Sequence, residues 1–227
     1  MPIADNIRFL RDRICKAALI ANRDPGEISV VAVSKNVSTQ MISEAIEAGI
    51  TKFGESRVQE MLSKYKVLEK KIDWHFIGPL QTNKVKYIIN NVELIHSLDR
   101  ISLADEINKR AKLNNKPVNV LVQVNVSKEA SKSGIYEEDL LPFIETLADY
   151  PYIRVKGLMG IGPNTTDEEA IRTCFRRLRV YFENLRSKAI SHIDMEYLSM
   201  GMSNDYMIAI EEGANMVRVG RAIFQNI

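Results

Sequence analysis

Eight short apolar runs, each separated from the next by a segment of helical periodicity, constrain the fold of this chain more than any other feature. The runs cover residues 29–35, 52–55, 74–78, 94–98, 118–126, 154–159, 197–200 and 216–220. The helical segments lie near 39–48, 57–70, 82–90, 100–113, 137–148, 167–188 and 203–212. Because strands that alternate with helices pair in parallel through right-handed crossovers, eight such units predict an α/β fold of the (β/α)8 TIM-barrel type.

An additional helix precedes the first strand. Ile3, Ile7, Leu10 and Ile14 fall on one helical face within residues 3–21. The alternative fold is an open doubly wound sheet, which usually has a glycine-rich turn after its first strand. Here the first strand is followed by KNVSTQ, which contains no glycine. With no linker or low-complexity tract, the chain is predicted to form a single domain over residues 1–227.

Composition and charge are typical of an ordinary globular protein, with 45% hydrophobic and 26% charged residues. A net charge of +2 gives no indication of nucleic-acid or membrane binding. No apolar stretch approaches the roughly 18 residues of a membrane span, and no signal peptide is recognisable, so a cytoplasmic location is expected. Cys15 and Cys174 lack metal or redox spacing and are expected to be buried small side chains.

The first predicted strand ends in a lysine, Lys35. In barrels of this kind the ligand site lies at the carboxyl ends of the strands. Val31, Val33 and Lys35 share one face because side chains alternate, so an inward face would place the amine at the barrel mouth. In a partly dry pocket the amine would be neutral, nucleophilic and able to form an imine with an aldehyde. The alternative is an amine that simply reaches from the strand end into water.

The segments after the seventh and eighth predicted strands both suit an anion. LSMGMSNDYMIAI contains the small residues Ser199, Gly201 and Ser203, and the helix start that follows offers backbone N–H groups. In VRVGRAIF, Gly220 permits close approach of the backbone to a ligand and Arg221 adds positive charge. These two loops often bind phosphate in such barrels, although each alone also suits an ordinary helix cap.

Several polar residues are predicted to face the barrel interior. Arg218 lies between two valines, so it forms either an internal salt bridge or a donor aimed at a ligand. Gln123 and Asn125 alternate with valines that suit the helix-facing side, so these amides are predicted to point inward. His75 alternates with aromatic residues and is interpreted as an ordinary core histidine. His96 and His192 show no metal-ligand spacing.

An amine at the mouth, a phosphate-suited pair of loops and an interior arginine together favour a phosphorylated aldehyde as ligand. From the residues alone, pyridoxal phosphate and a sugar phosphate held as an imine remain equally open. Seven segments follow one another along the chain: VAVSKNVS, KFGESRVQEM, DWHFIGPLQTNK, HSLDR, VLVQVNVSKEASKSGI, VKGLMGIGP and LSMGMSNDYMIAIEEGANMVRVGRAIF. Together, and in this order, they resemble the pyridoxal-phosphate homeostasis protein family.

This family is similar to the barrel domain of bacterial alanine racemase, a fold-type III barrel that binds pyridoxal 5'-phosphate. The resemblance implies that Lys35 holds the cofactor as an internal aldimine and that Arg218 approaches the pyridine nitrogen. The phosphate-binding residues that it implies are Ser199, Met200, Gly201, Met202, Ser203, Gly220 and Arg221. It also implies a cofactor contact at Ser56, where the family commonly has asparagine; serine is shorter and carries no amide.

The resemblance implies a carrier in vitamin B6 homeostasis, with effects on amino-acid and keto-acid balance and no established reaction. Pyridoxal-phosphate-dependent apoenzymes or a regulatory protein are the expected partners, and a monomer is expected. Arg218 supports a carrier independently: a guanidinium only donates, so it holds the pyridine nitrogen unprotonated and weakens the electron sink.

Two enzymatic alternatives remain. A two-base racemase requires a second acid–base residue, which in alanine racemase comes from an added domain of the partner chain, and this chain ends soon after its eighth strand. A Schiff-base lyase of the aldolase type requires a proton-relay carboxylate, for which Glu55 is the candidate.

Overall fold

The computed structural model describes residues 2–68, 72–129 and 132–225, which form a closed barrel of parallel strands in chain order. The strands are β1 (Ser29–Val33), β2 (Lys52–Glu55), β3 (Asp73–Phe76), β4 (Leu94–Leu98), β5 (Val118–Val124), β6 (Ile153–Gly160), β7 (Ile193–Ser199) and β8 (Met216–Val219). The helices are α1 (Ile3–Ile20), α2 (Thr39–Glu47), α3 (Val58–Leu68), α4 (Val85–Ile88), α5 (Ile101–Leu113), α6 (Glu137–Leu147), α7 (Glu168–Arg186), α8 (Tyr206–Glu211) and α9 (Arg221–Phe224). The predicted (β/α)8 barrel is confirmed.

Each strand has one face toward the helices and one toward the barrel axis. The helix-facing residues of β5, Val120, Val122 and Val124, belong to the large apolar core between sheet and helices. A second, smaller cluster fills the interior of the barrel. Its buried members are Val31, Leu94, Leu121, Met159 and Met216. Leu121 therefore faces inward, and the same alternation directs Gln123 inward, as predicted.

Helix α1 packs outside the barrel against α8, α9 and α2. Its buried stripe contains Ile7 and Leu10, and the buried Asn6 side-chain amide donates to the carbonyl of Ile223 at 2.9 Å. An apolar face at helical spacing thus joins the first helix to the last one. The predicted additional N-terminal helix is confirmed.

The first strand ends at Val33, two residues before the predicted end. Ser34 to Val37 form a turn in which the Val37 amide donates to the Ser34 carbonyl at 3.0 Å. Asn36 has φ +58°, the left-handed value that the third position of a type II turn requires and that asparagine tolerates. Lys35 therefore occupies the second position of a tight turn and not the end of a strand.

Other boundaries differ by a few residues. The helix predicted at 203–212 begins only at Tyr206, and β7 begins at Ile193, four residues before the predicted start. Residues 69 and 70 of the helix predicted at 57–70 lie outside the described residues.

Three further expectations concern the burial of the cysteines, metal-ligand groups and membrane-spanning helices. Cys174 is buried as predicted, whereas Cys15 is partly exposed. No group of His, Cys, Asp and Glu side chains suited to a metal ion occurs in the described ranges. None of the helices within these ranges is both long enough and apolar enough to span a bilayer.

Candidate functional site

A cavity of about 630 Å³ opens at the carboxyl ends of the strands. It is lined by the ends of β1 and β8, the β6–α7 segment and the β7–α8 segment. Two depressions of about 530 and 520 Å³ lie at the amino ends of β7 and β8 and of β1 and β2. Because ligands bind at the carboxyl face in barrels of this type, the larger cavity is the candidate site.

The structure brings six of the ten predicted site residues to this cavity. They are Lys35, Met202, Ser203, Arg218, Gly220 and Arg221. Lys35 is exposed at the rim, so the expected partly dry position for its amine is wrong. The reason is the turn at 34–37, which carries the side chain past the strand end into the open mouth.

Arg218 lies deepest among the charged residues of the cavity and is only 4% exposed. Its guanidinium donates to the Ser199 carbonyl at 2.8 Å, to the Ser199 hydroxyl at 2.6 Å and to the Gly160 carbonyl at 2.8 Å. Burial lowers the pKa of Arg218 to about 10, and the nearby charge of Asp205 opposes this shift. The guanidinium thus stays protonated at neutral pH, and its hydrogen-bond acceptors are neutral oxygens.

A chain of hydrogen bonds extends from Arg218 across the barrel interior. Ser199 Oγ lies 3.2 Å from His96 Nδ1, and His96 Nε2 lies 2.9 Å from His75 Nδ1. Since arginine only donates, the Ser199 hydroxyl accepts from Arg218. A neutral imidazole carries one N–H, so one of the two rings donates to the other, in the direction that their tautomers set.

Both imidazoles in this chain of hydrogen bonds, those of His75 and His96, are neutral. Burial, together with the charge of Lys52, lowers the pKa of His75 to about 3. Burial, with His75 and Arg218 nearby, lowers the pKa of His96 well below its usual value. His75 was interpreted as an ordinary core histidine, but its buried Nε2 has no partner within the described part of the chain.

The segments that follow β7 and β8 interlock at the cavity wall. The Gly220 amide donates to Ser203 Oγ at 3.4 Å, and Arg221 donates to Asn204 Oδ1 at 2.8 Å. A Cβ at Gly220 would lie 3.0 Å from the Val33 carbonyl oxygen, so glycine keeps the turn close to β1. The two loops predicted to bind an anion therefore form one continuous surface.

The buried carboxylate of Asp205 organises the turn before α8. Its Oδ1 accepts from the Met202 amide at 2.6 Å, and burial raises its pKa. The residue that directly precedes α8 is Asp205, so Ser203 lies before the helix start. Ser203 is consequently available at the cavity wall.

Four predicted site residues do not line the cavity. Ser199 is fully buried beside Arg218, and Met200 is fully buried in the apolar core. Gly201, with φ +89°, accepts from the Arg218 amide at 3.0 Å, and a Cβ there would meet Ala209 Cβ at 2.5 Å. Ser56 is half-buried and lies so close to Gly78 that a Cβ on the glycine would meet the Ser56 carbonyl oxygen at 2.5 Å.

Sequence reasoning missed one wall of the cavity, the segment after β6. Asn164, Thr165 and Thr166 line it, as does Lys132, which donates to the Gly162 carbonyl at 2.8 Å. A polar run, GPNTT, directly after the sixth strand was the available signal. Lys132 precedes β6 by some 20 residues, and no local pattern indicates that it reaches this wall.

Glu55, the candidate relay of a lyase, is engaged elsewhere. Its Oε1 accepts from Lys64 at 2.6 Å and from the Ser34 hydroxyl at 2.7 Å, and it is fully buried. Burial raises the pKa of Glu55, although the hydrogen bonds from Lys64 and Ser34 oppose this shift. Glu55 does not line the cavity, so the structure does not favour the lyase hypothesis.

Comparison with known proteins defines the class of this barrel. Residues 3–226 match the family model described as alanine racemase, N-terminal domain. Alanine racemase from Corynebacterium glutamicum superposes with a TM-score of 0.71 at 15% identity, covering 98% of this chain and 60% of that one. The chain thus has the barrel fold of the alanine racemase N-terminal domain.

Relatives of similar length identify the family within this class. The pyridoxal phosphate homeostasis protein of Aquifex aeolicus is 43% identical over 225 residues, covering 99% of this chain and 98% of the relative. That of Escherichia coli K12 is 39% identical over 226 residues, covering 98% and 95%. PipY of Synechococcus elongatus, solved with PLP bound, has a TM-score of 0.85 at 30% identity, covering 98% and 99%. The chain belongs to the pyridoxal phosphate homeostasis protein family.

Proposed function

We propose that this protein binds pyridoxal 5'-phosphate covalently through Lys35 and acts as a single-domain carrier in vitamin B6 homeostasis. The observation that carries the proposal is that Lys35, Arg218 and the interlocked loops at Ser203 and Gly220–Arg221 line one cavity. The names of the relatives, and the PipY structure solved with PLP bound, support the same ligand.

The residues present fit this cofactor. Its aldehyde requires an amine, which Lys35 supplies at the rim. Its phosphate requires donors, which the Ser203 hydroxyl and the Arg221 guanidinium supply on one wall, where the Gly220 amide donates to Ser203 Oγ. The glycine at 220 keeps that wall free of a side chain. When bound, the cofactor supplies an electrophilic carbonyl carbon.

Attachment is a condensation that Lys35 begins. The lone pair of its Nζ forms a bond to the aldehyde carbon, and the carbonyl oxygen leaves as water after proton transfer, giving an imine. No oxidant or reductant is consumed, and hydrolysis reverses the reaction. A reversible bond suits a protein that stores a cofactor and releases it.

Arg218 favours storage over catalysis. With a pKa of about 10 it remains protonated and can only donate, so a pyridine nitrogen facing it accepts and stays unprotonated. A ring in that state is a weak electron sink for carbanions. We therefore propose that the protein delivers the cofactor to apoenzymes, or reports it to a regulatory protein, and so affects amino-acid and keto-acid balance.

The visible spectrum of the purified protein tests this function. We expect added pyridoxal phosphate to produce a yellow protein, and borohydride to bleach it and leave a reduced adduct that maps to Lys35. Lys35→Ala should lose the adduct and keep the melting temperature, because the side chain is exposed. The matched control is Lys66→Ala, an exposed lysine on α3.

Two results would contradict the proposal. One is a colourless protein whose spectrum is unchanged by the cofactor, and the other is an adduct that persists in Lys35→Ala. In the same preparation we expect no interconversion of L- and D-alanine, and sustained turnover would favour the racemase alternative.

A further inference from the structure

We propose that Glu60 and Lys64 of α3 are positioning residues that hold the turn carrying Lys35, so that its amine faces the cavity; this rests on the proposed function of Lys35. The Lys35 side chain is exposed and makes no hydrogen bond or ion pair to the described residues, so its own contacts do not orient it. The backbone on either side of it must therefore set its direction.

Helix α3 forms hydrogen bonds to the turn on both sides of Lys35. Lys64 Nζ donates to the Ser34 carbonyl at 2.6 Å, and Glu60 Oε1 accepts from the Asn36 amide at 2.6 Å. These two groups are the carbonyl of the peptide before Lys35 and the amide of the peptide after it. Because Ser34 and Asn36 flank Lys35 directly, fixing both groups fixes the peptide planes from which the lysine projects.

All three N–H donors of the Lys64 ammonium are used in this contact. A lysine ammonium has three N–H donors, and Lys64 Nζ meets three acceptors, namely Ser34 O, Glu55 Oε1 at 2.6 Å and Glu60 Oε1 at 2.7 Å. Lys64 and Glu55 are buried, so these bonds compete little with water. None of the residues in this cluster lines the cavity.

The charge of Glu60 favours the same arrangement. Burial alone would raise its pKa, but the hydrogen bonds from Lys64 and from the Asn36 amide, with the charges of Lys64 and Arg57, lower it overall. Glu60 is thus ionised at neutral pH and is a strong acceptor for the Asn36 amide. Asn36 itself sits at φ +58°, a conformation that an added hydrogen bond helps to maintain.

Glu60 offers a milder test than either member of the buried Lys64–Glu55 pair. Its side chain is 19% exposed, and although it also accepts from Lys64, we expect Lys64 to keep its contact with Glu55 when Glu60 is replaced. Glu60→Ala removes the acceptor, whereas Glu60→Gln keeps an oxygen that accepts from the same amide. The matched control is Gln59→Ala, the exposed neighbour on α3.

Two measurements are made on each full-length variant. The first is hydrogen exchange of the Asn36 amide by NMR without added cofactor, and the second is titration with pyridoxal phosphate followed by the visible band. In Glu60→Ala we expect faster exchange at Asn36 and half-saturation at a concentration on the order of ten-fold higher, the typical effect of one charged hydrogen bond. Glu60→Gln should recover most of the slow exchange at Asn36 and most of the affinity for the cofactor. Gln59→Ala should match the wild type.

The outcomes separate this inference from the function on which it rests. If Glu60→Ala matches the wild type in both measurements, or if Gln59→Ala shows the same loss, the positioning role is wrong. If the wild type forms no visible band with the cofactor, the function of Lys35 fails, while exchange at Asn36 still reports whether Glu60 holds the turn.

Discussion

At the scale of single residues, Arg218 shows what alternation along a strand can and cannot predict. An inward arginine flanked by valines was expected from the sequence, together with its need for partners. Its actual acceptors come from Ser199 on β7 and Gly160 on β6. The register between neighbouring strands decides which inward residues meet. That register depends on barrel closure and the bulge between β6 and β7, which no local pattern contains.

The two neutral histidines beyond Arg218 predict a pH dependence of stability. His75 has a pKa of about 3 when folded and about 6.5 when unfolded, so acid protonates the unfolded chain first. Its contribution is therefore complete above pH 6.5 and is lost as pH falls from 6.5 toward 3. At pH 5 the expected loss is about 2 kcal/mol from His75 alone, and His96 adds to it in the same direction.

Urea unfolding of the wild type at pH values from 7.5 to 5 measures this loss. Most carboxylates titrate below this window, and the raised pKa values of Glu55 and Asp205 act in the opposite direction to the histidines. A His75→Gln variant has no imidazole to protonate at this position, so its stability should fall less steeply from pH 7.5 toward pH 5. A wild-type unfolding free energy that is flat from pH 7.5 to 5 would show that the imidazoles are not held neutral.

At the scale of secondary-structure elements, the order of strands and helices followed from periodicity. The residue at which β1 ends, and with it the placement of Lys35, did not. Strand β1 was predicted to reach Lys35, which would share one face with Val31 and Val33, yet the strand ends at Val33. In the turn that follows, the Ser34 carbonyl accepts from Lys64 of α3 and the Asn36 amide donates to Glu60 of α3. Such contacts join residues that lie 24 to 30 positions apart. A sequence window of one element therefore cannot show them.

Helix α3 should consequently lose much of its anchorage when Lys64 is replaced. Lys64→Met leaves the fully buried Glu55 without its ion-pair partner. Removal of one member of a buried pair typically costs about 3–5 kcal/mol, and we expect a loss of that order in the free energy of unfolding. Urea denaturation provides the measurement, and Lys66→Met, an exposed position two residues away, should change stability by less than about 0.5 kcal/mol.

A second substitution distinguishes lost pairing from lost packing. In Glu55→Gln with Lys64→Met, neither member of this buried pair carries a charge, so we expect part of the stability to return. Equal stability of Lys64→Met and Lys66→Met would mean that water replaces the buried partner without penalty.

At the scale of the whole molecule, the candidate site exists only when the barrel is closed. Strand β1 near the start of the chain pairs with β8 near its end, through contacts such as Val31 with Arg218. This pairing brings Lys35 together with Gly220 and Arg221 in one cavity. The wall containing Lys132, which sequence reasoning missed, joins them only through the folded β6–α7 segment. Ligand binding and barrel closure are therefore thermodynamically linked.

This linkage predicts that pyridoxal phosphate stabilises the entire protein. A ligand that binds only the folded state at 100 times its Kd adds about 2.7 kcal/mol to the free energy of unfolding. For a chain of this length, each kcal/mol raises Tm by roughly 2–4 °C, so a rise of about 5–10 °C is expected. Differential scanning calorimetry of the wild type and of Lys35→Ala, with and without the cofactor, measures it. Lys35→Ala should show a smaller rise because it retains only the phosphate and ring contacts.

Pyridoxal without the phosphate should stabilise the wild type less, because the wall of Ser203, Gly220 and Arg221 then has no anion to bind. Equal stabilisation by both compounds would place the phosphate elsewhere on the molecule.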